Sequence, residues 1–243
     1  MRRHRRAGQI VAIALAATGI TCGGGGGNGG GNGGGNPGGP SPLPTPQVCR
    51  TYPTSANVHT ETTASKITFD ALVTGTFDSG SKKSTVTTMF ANGAPCSTNI
   101  TSYDSVADFV DEVHVVPPIF RSTSNTNTNS GGCGRVTSTN TYNYDGQRRL
   151  VSMTNDVGGV TTYTAWDSAG RPTKGTSNGS ISMSIAYDDG AKTMTTTQTG
   201  PNGTSVSTLT YDANGAQLKS VVTSGKVTTT TTFTNTATAS VCR

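Results

Sequence analysis

Apolar and polar residues alternate along much of the chain after residue 48, which is the pattern of half-buried β-strands. Ile181, Met183 and Ile185 alternate with serine and alanine, so one face of this strand is apolar and the other is solvated. Three further segments, rich in threonine, valine and phenylalanine, are predicted to be strands: residues 58–69, 71–78 and 82–90. The sequence therefore predicts a mainly β fold.

One segment departs from this alternation. Apolar residues recur at helical spacing within residues 103–114 and predict one short amphipathic helix. Ser102 or Asp104 is the expected N-cap, and the helix is expected to end before Pro117. The following residues 121–134 are mostly Ser, Thr, Asn and Gly, and they are predicted to form a loop.

The second half of the chain repeats a short motif, in which an aromatic residue is followed by aspartate and a turn. The motif returns every 21 to 24 residues, a period that indicates one supersecondary unit per repeat. The aspartate is expected to accept hydrogen bonds from the turn backbone, and the glycine to adopt a left-handed conformation. The motif residues are Tyr144, Asp145, Trp166, Asp167, Gly170, Tyr187, Asp188, Gly190, Tyr211, Asp212 and Gly215.

A second turn lies midway between successive motifs, as at Asn178-Gly179, so each repeat comprises two strands and two turns. Residues 49–243 are therefore predicted to form a single β-rich domain, a curved antiparallel β-meander sheet built from hairpin repeats. The short helix is expected to pack on the apolar face of this sheet, because an uncovered sheet would leave that face in water.

The spacing of the motif, together with its pattern Tyr-Asp-x-x-Gly-Arg, resembles the YD repeat of bacterial RHS proteins over residues 135–225. In that family, long arrays wind a β-sheet into a hollow shell that encloses a toxin, and related arrays mediate surface contacts. In this chain arginine follows the glycine only at Arg171, and four units are too few to enclose a toxin. The resemblance therefore implies a role at the cell surface or in the envelope.

The N-terminal residues 1–21 have the pattern of an export signal, with four arginines, a short apolar region and then small residues. The apolar region is shorter than the roughly 20 residues that span a bilayer. The sequence Gly-Ile-Thr-Cys that ends at Cys22 resembles the processing box of bacterial lipoproteins, which implies lipidation of Cys22. Ordinary cleavage near Ala16 is the alternative, and it would give a soluble secreted protein.

Residues 22–48 combine a lipidated cysteine with a run of Gly, Asn and Pro. Such a composition cannot form a hydrophobic core, so we expect a disordered tether. Its glycine part is flexible and its proline part is stiffer. A tether of this kind would hold the β-rich domain away from a membrane surface.

The five cysteines support the same interpretation, because lipidation of Cys22 would leave an even number in an oxidising compartment. Those four are Cys49, Cys96, Cys133 and Cys242. Three pairings are possible. The preferred one joins Cys49 to Cys242 at the domain ends and Cys96 to Cys133 in the middle. No CxxC spacing points to a zinc site.

Charge argues against a nucleic-acid partner, although the formal net charge is +5. Four of the 18 basic residues lie in the leader, which leaves 14 against 13 acidic residues after cleavage. No basic stripe remains in the mature chain.

Few residues suggest a catalytic or ligand-binding role. Trp166 and Tyr163 are candidates for stacking against a sugar, and packing of the sheet is the alternative. Turn chemistry accounts for the repeat aspartates, so neither a metal nor another cofactor is expected. Asp111 and Glu112 are the carboxylates on which a hydrolase of envelope polysaccharide would depend.

Together these features predict a bacterial cell-envelope lipoprotein. The resemblance to bacterial lipoproteins implies the outer membrane, and the alternative is a secreted protein. Its expected role is non-enzymatic binding or structure. The expected partners are the membrane, through the lipid anchor, and an envelope polysaccharide or surface protein. The alternatives are an accessory protein of an RHS-type toxin system and the polysaccharide hydrolase.

Overall fold

A computed structural model describes four parts of the chain: residues 49–63, 68–114, 119–130 and 133–242. The predicted leader of residues 1–21 and tether of residues 22–48, including Cys22, lie outside the described residues. No helix within the described parts is both long and apolar enough to cross a membrane.

The described residues form fourteen β-strands and one α-helix. The first half comprises β1 Cys49–Thr62, β2 Thr68–Asp78, β3 Lys83–Phe90, β4 Pro95–Ser102, α1 Val106–His114 and β5 Ser124–Asn129. The second half comprises β6 Thr137–Tyr144, β7 Leu150–Asn155, β8 Val160–Trp166, β9 Pro172–Ser177, β10 Ile181–Asp188, β11 Thr193–Gly200, β12 Gly203–Tyr211, β13 Gln217–Ser224 and β14 Val227–Cys242.

Every strand pairs antiparallel with its neighbours in the sequence, and β1 also pairs with β14. The mainly β, antiparallel meander that the sequence predicts is confirmed. The sheet does not merely curve, however: it closes into a barrel. Closure removes the exposed edge strands to which another chain could add a strand.

Alternating burial defines two faces of the sheet. On β10, Met183 is buried whereas Ser182 and Ser184 are exposed, as the alternation predicts. The outer face carries ladders of threonine, in which hydroxyls bond across strands, as between Thr195 and Thr208 at 3.1 Å. These β-branched residues suit a half-exposed strand, because their stiff side chains fit the pleated surface.

Helix α1 packs against the inner face of the sheet, as expected. Phe109 is completely buried and stacks on Phe77 at 3.9 Å between ring centroids. Tyr52 and Tyr103 meet Phe109 edge-on, at 5.3 and 5.4 Å. Val110 and Val241 complete this aromatic cluster. A second apolar cluster lies on strands β1, β2, β3 and β14 and comprises Ala56, Val58, Ala71, Val73, Val86 and Phe233.

The N-cap of α1 is Ser105, not Ser102 or Asp104. The Ser105 hydroxyl accepts a hydrogen bond from the Asp108 backbone N–H at 3.1 Å and donates to the Asp108 carboxylate at 2.7 Å. Ser105 is thus an N-cap whose hydroxyl is oriented by the carboxylate at the third helical position. The signature of this arrangement in the sequence is a serine followed three residues later by an acidic residue.

The loop predicted for residues 121–134 contains strand β5, so that prediction is wrong. The strand lacks apolar alternation because its inner face carries amides. Asn125 donates to Thr101 at 2.8 Å and accepts from Asn99 at 3.1 Å, and both of these partners are buried. Hydrogen bonding between side chains thus replaces hydrophobic packing on this part of the inner face.

Two disulfides have the pairing that the sequence favoured. Cys49 bonds to Cys242, which is also its partner in the register of β1 and β14. Cys96 on β4 bonds to Cys133. The first disulfide therefore fastens the first strand of the barrel to the last.

Candidate functional site

One end of the barrel carries more copies of the aromatic–aspartate motif than the four found in the sequence. Six even-numbered strands end at or beside such a pair, and even-numbered strands all run in one direction. The two additional pairs are Phe77-Asp78 and Tyr103-Asp104. We call this end the aromatic rim. The two pairs could have been found as aromatic–aspartate dipeptides about 25 residues apart.

Three aspartates of the aromatic rim organise their turns, as expected. One Asp145 carboxylate oxygen accepts hydrogen bonds from the backbone N–H groups of Gln147 and Arg149, both at 2.9 Å. Asp167 and Asp212 bind their turns in the same way. The left-handed residues of these three turns are Arg148, Gly170 and Gly215.

The third unit makes a different turn, and the expectation for Gly190 is wrong. The left-handed residue is Lys192, at φ 57°, two positions after Gly190. The turn after Asp78 has the same form, with Lys82 at φ 55°. Asp188 accepts a hydrogen bond from the Ala191 backbone at 2.8 Å. A longer turn moves the left-handed position along the chain.

Arginines connect two of these turns to the next repeat. Arg149 Nε donates to Asp145 of its own turn at 2.8 Å, and its guanidinium lies 4.5 Å from the centre of the Trp166 ring. Arg171 repeats this arrangement with Asp167 at 2.7 Å and the Tyr187 ring at 4.3 Å. Arg149 thus has the role of Arg171, although a glycine does not precede it.

The aromatic residues in turn donate hydrogen bonds to the preceding unit. Trp166 Nε1 donates to the carbonyl of Leu150 at 3.0 Å, and the Tyr187 hydroxyl donates to that of Pro172 at 3.0 Å. Leu150 and Pro172 directly follow the arginines of the preceding units. Trp166 is half-buried beneath Arg149, so its contacts fit the packing alternative.

Tyr163, the second candidate for stacking, also packs within the sheet. It lies beside Gly175, where an added Cβ would approach Tyr163 Cδ1 to 3.2 Å and the Thr162 carbonyl to 2.5 Å. Glycine at residue 175 therefore allows the close approach of the backbone at Thr162 and of the Tyr163 ring. Burial raises the pKa of Tyr163 to about 12.

The carboxylates of helix α1 fix the helix to the sheet. Asp108, which is 5% exposed, forms an ion pair with Arg148 of the first repeat turn. Glu112 accepts hydrogen bonds from the backbone N–H groups of Arg121 and Ser122, at 2.7 and 2.8 Å. Burial raises the pKa of Glu112. Glu112 is one of the two carboxylates on which a hydrolase would depend. It is thus engaged by backbone N–H groups.

A pocket of about 500 Å³ lies on the outer face of β14, β1, β2 and β3. We call it the outer pocket. It ends at the β3–β4 turn, where Ala91 and Gly93 contribute to the lining. The pairing register places seven of its lining residues on one face, opposite the second apolar cluster: Asn57, His59, Asp70, Leu72, Met89, Thr232 and Thr234.

A histidine between two carboxylates lies at the edge of the outer pocket. His59 Nδ1 is 2.6 Å from Asp70 Oδ1, and His59 Nε2 is 3.1 Å from Glu61 Oε1. These hydrogen bonds, the one to Asp70 foremost, raise the pKa of His59. Because the carboxylates bind opposite sides of the ring, the three groups do not converge on one point. No metal-binding cluster is found among the described residues.

Sequence reasoning missed the outer pocket. The period of two places His59 and Glu61 on the same face of β1, a signal that was readable. The pairing of His59 with Asp70 depends on the register of the β1–β2 hairpin, which the sequence does not specify.

No protein-family model matches the chain, and no curated protein sequence is similar to it.

Proposed function

We propose that the chain is a bacterial cell-envelope lipoprotein whose barrel is a non-enzymatic module for binding or structure, held on a flexible tether. In this proposal Cys22 carries the lipid, residues 22–48 form the tether, and the outer membrane is the site of anchoring. The partners are the membrane and an envelope component, a polysaccharide or surface protein.

The observation that carries the proposal is the disulfide between Cys49 and Cys242. It lies where the predicted tether meets the barrel, and it joins the first strand to the last. Disulfides persist in oxidising compartments, which is what export past the inner membrane provides. A barrel cross-linked where the tether begins is suited to withstand mechanical force and proteolysis outside the cytoplasm.

The assignment of a non-enzymatic role rests on how the candidate residues are used. The aspartates of three repeat turns accept backbone hydrogen bonds, and Glu112 binds two backbone N–H groups. Trp166 and Tyr163 are engaged within the sheet. The outer pocket, by contrast, is open and combines apolar and charged side chains, which supports a binding role.

The mass of the native protein tests the proposal. We expect the protein in the membrane fraction, with a diacylglycerol adduct on Cys22 and with Cys49–Cys242 and Cys96–Cys133 recovered as linked peptides. The variant Cys22→Ser is the control and should leave the membrane fraction. A native chain with an unmodified Cys22, or one that begins near residue 17, would contradict lipidation and indicate a secreted protein.

A second candidate is an accessory protein of an RHS-type toxin system. The contacts of Arg149 with Trp166, and of Arg171 with Tyr187, favour it because they join consecutive repeats into one continuous array. This candidate predicts a toxin or immunity gene beside the gene for this chain, and co-purification with its product. A neighbourhood that contains neither gene would contradict it.

A further inference from the structure

The outer pocket has the size of a small-molecule site and two chemically distinct sides. Its volume of about 500 Å³ lies within the range of ligand pockets. Leu72 and Met89, which are paired across β2 and β3, give it an apolar side. His59 and Asp70 form the polar side, and Asp70 is a lining residue of the pocket itself.

The polar side carries net negative charge. Asp70 and Glu61 carry one negative charge each when ionised, and the shared His59 adds at most one positive charge. Across β1 the neighbour is Thr232, which is neutral, and the strand beyond it carries Lys219. Lys219 is three strand spacings, roughly 14 Å, from Asp70, so the nearby carboxylates dominate, and this edge attracts a cation and repels an anion.

We propose that the outer pocket binds a small organic cation, with its ammonium group at the Asp70 carboxylate and its hydrocarbon part along Leu72 and Met89. The ligand class is an alkylammonium compound of roughly six carbons. The apolar side contributes affinity through burial, and the carboxylate selects for charge. The inference deepens the proposed binding role and rests on it, but it does not depend on the lipid anchor.

Binding of the cation is coupled to the proton on His59. Protonated His59 and the ligand compete for the same carboxylate, so the ligand binds more tightly when His59 is neutral. Asp70 and Glu61 raise the pKa of His59. A cation bound at Asp70 lowers this pKa again. Affinity should therefore increase as pH rises through the pKa of free His59, and a proton should be released on binding in that range.

Titration with three compounds of equal length tests the site: hexylammonium, hexanol and hexanoate. The protein is the full chain with Cys22→Ser, which leaves every described residue unchanged. We expect saturable binding of hexylammonium by calorimetry, with NMR shifts at the Met89 methyl and the His59 ring. Hexanol should bind about tenfold more weakly, because it lacks the charge-assisted hydrogen bond, and hexanoate more weakly still.

Three variants locate the effect. Asp70→Asn should weaken hexylammonium about tenfold and leave hexanol unchanged. Asp156→Asn, which removes an equal charge from an exposed turn remote from the pocket, is the matched control and should change neither. His59→Gln should remove the pH dependence of affinity between pH 5.5 and 8.5, since no other facing group titrates in that range.

The proposal is overturned if hexylammonium does not saturate, if hexanol binds equally well, or if Asp70→Asn behaves like Asp156→Asn. Loss of the fold in Asp70→Asn would be seen in its NMR spectrum. The decision would then rest on wild-type ligand preference and pH dependence. An unmodified Cys22 in the native chain would refute the anchor without affecting these titrations, so the two failures are distinguishable.

Discussion

The guanidinium of Arg171 lies 4.3 Å from the centre of the Tyr187 ring, one repeat further along the chain. The same guanidinium binds Asp167 of its own turn at 2.7 Å and Asp189 of the next repeat at 2.7 Å. Its side chain is only 7% exposed. Arg171 thus joins two turns and one aromatic ring, so the aromatic rim is a set of interlocked repeats rather than a row of independent hairpins.

Removal of this connection should destabilise the barrel. Arg171→Ala leaves Asp167 without its cationic partner and exposes one face of Tyr187, at an expected cost of about 2–3 kcal/mol in the free energy of unfolding. Arg149→Ala is the matched control, because its side chain is 35% exposed and lacks the second carboxylate. It should cost about 1 kcal/mol. Urea denaturation measures both, and an equal or larger loss in Arg149→Ala would refute the ranking.

The attachment of helix α1 gives a second prediction, in which an ion pair and a strained backbone oppose each other. Arg148 adopts φ 59° where the equivalent turns of Asp167 and Asp212 have glycine, and it pairs with the buried Asp108. Arg148→Gly relieves roughly 1 kcal/mol of backbone strain and loses an ion pair worth about as much, because the arginine is 61% exposed and the buried Asp108 keeps its hydrogen bond from Ser105. We therefore expect almost no change in the free energy of unfolding.

Asp108→Ala provides the contrast within the same ion pair. It also removes the hydrogen bond that the Ser105 hydroxyl donates to the carboxylate, whereas the backbone N–H of residue 108 keeps its bond to that hydroxyl, and it should cost about 2 kcal/mol. Chemical denaturation of both variants distinguishes the two contributions. A loss in Arg148→Gly as large as that in Asp108→Ala would show that the ion pair, and not the hydrogen bond from Ser105 to the carboxylate, holds the helix.

The parts of the fold that the sequence revealed are those with local signals. The alternation around Met183 and the helical spacing around Phe109 each lie within one element, so periodicity predicts both. Strand β5 was missed because Asn125 and Asn127 take the inward positions in place of apolar residues, and Asn125 bonds to another amide and a hydroxyl, which leaves no apolar period.

Non-local pairing explains the remaining differences. Closure of the barrel depends on Cys49 lying opposite Cys242, a contact across 193 residues that no local pattern encodes. The outer pocket depends likewise on His59 lying opposite Asp70. In both cases the residue types were visible, and the register that brings them together was not.

The two disulfides should differ in their contributions. A cross-link over 193 residues restricts the unfolded chain more than one over 37 residues. The chain-entropy treatment gives roughly 5 kcal/mol for Cys49–Cys242 and roughly 4 kcal/mol for Cys96–Cys133. Paired serine variants, Cys49→Ser with Cys242→Ser and Cys96→Ser with Cys133→Ser, test this by urea denaturation. A greater loss from the shorter cross-link would show that strain or native packing outweighs chain entropy.

His59 should make the stability of the barrel depend on pH. Asp70 and Glu61 raise the pKa of His59 in the folded state, so folding favours the protonated form. The resulting stabilisation is complete below the unfolded pKa of about 6.5 and is lost as pH rises through the higher folded value. We expect the denaturation midpoint of the wild type to fall over this range, and that of His59→Gln to change less.

The pKa itself can be measured from the ring protons of His59 by NMR, with the signal assigned by its disappearance in His59→Gln. Asp70→Asn should lower this pKa more than Glu61→Gln does, because the hydrogen bond to Asp70 is the largest cause of the rise and is shorter, 2.6 against 3.1 Å. The reverse order would mean that Glu61 holds the proton on the ring. A pKa at or below the ordinary value would contradict the paired geometry altogether.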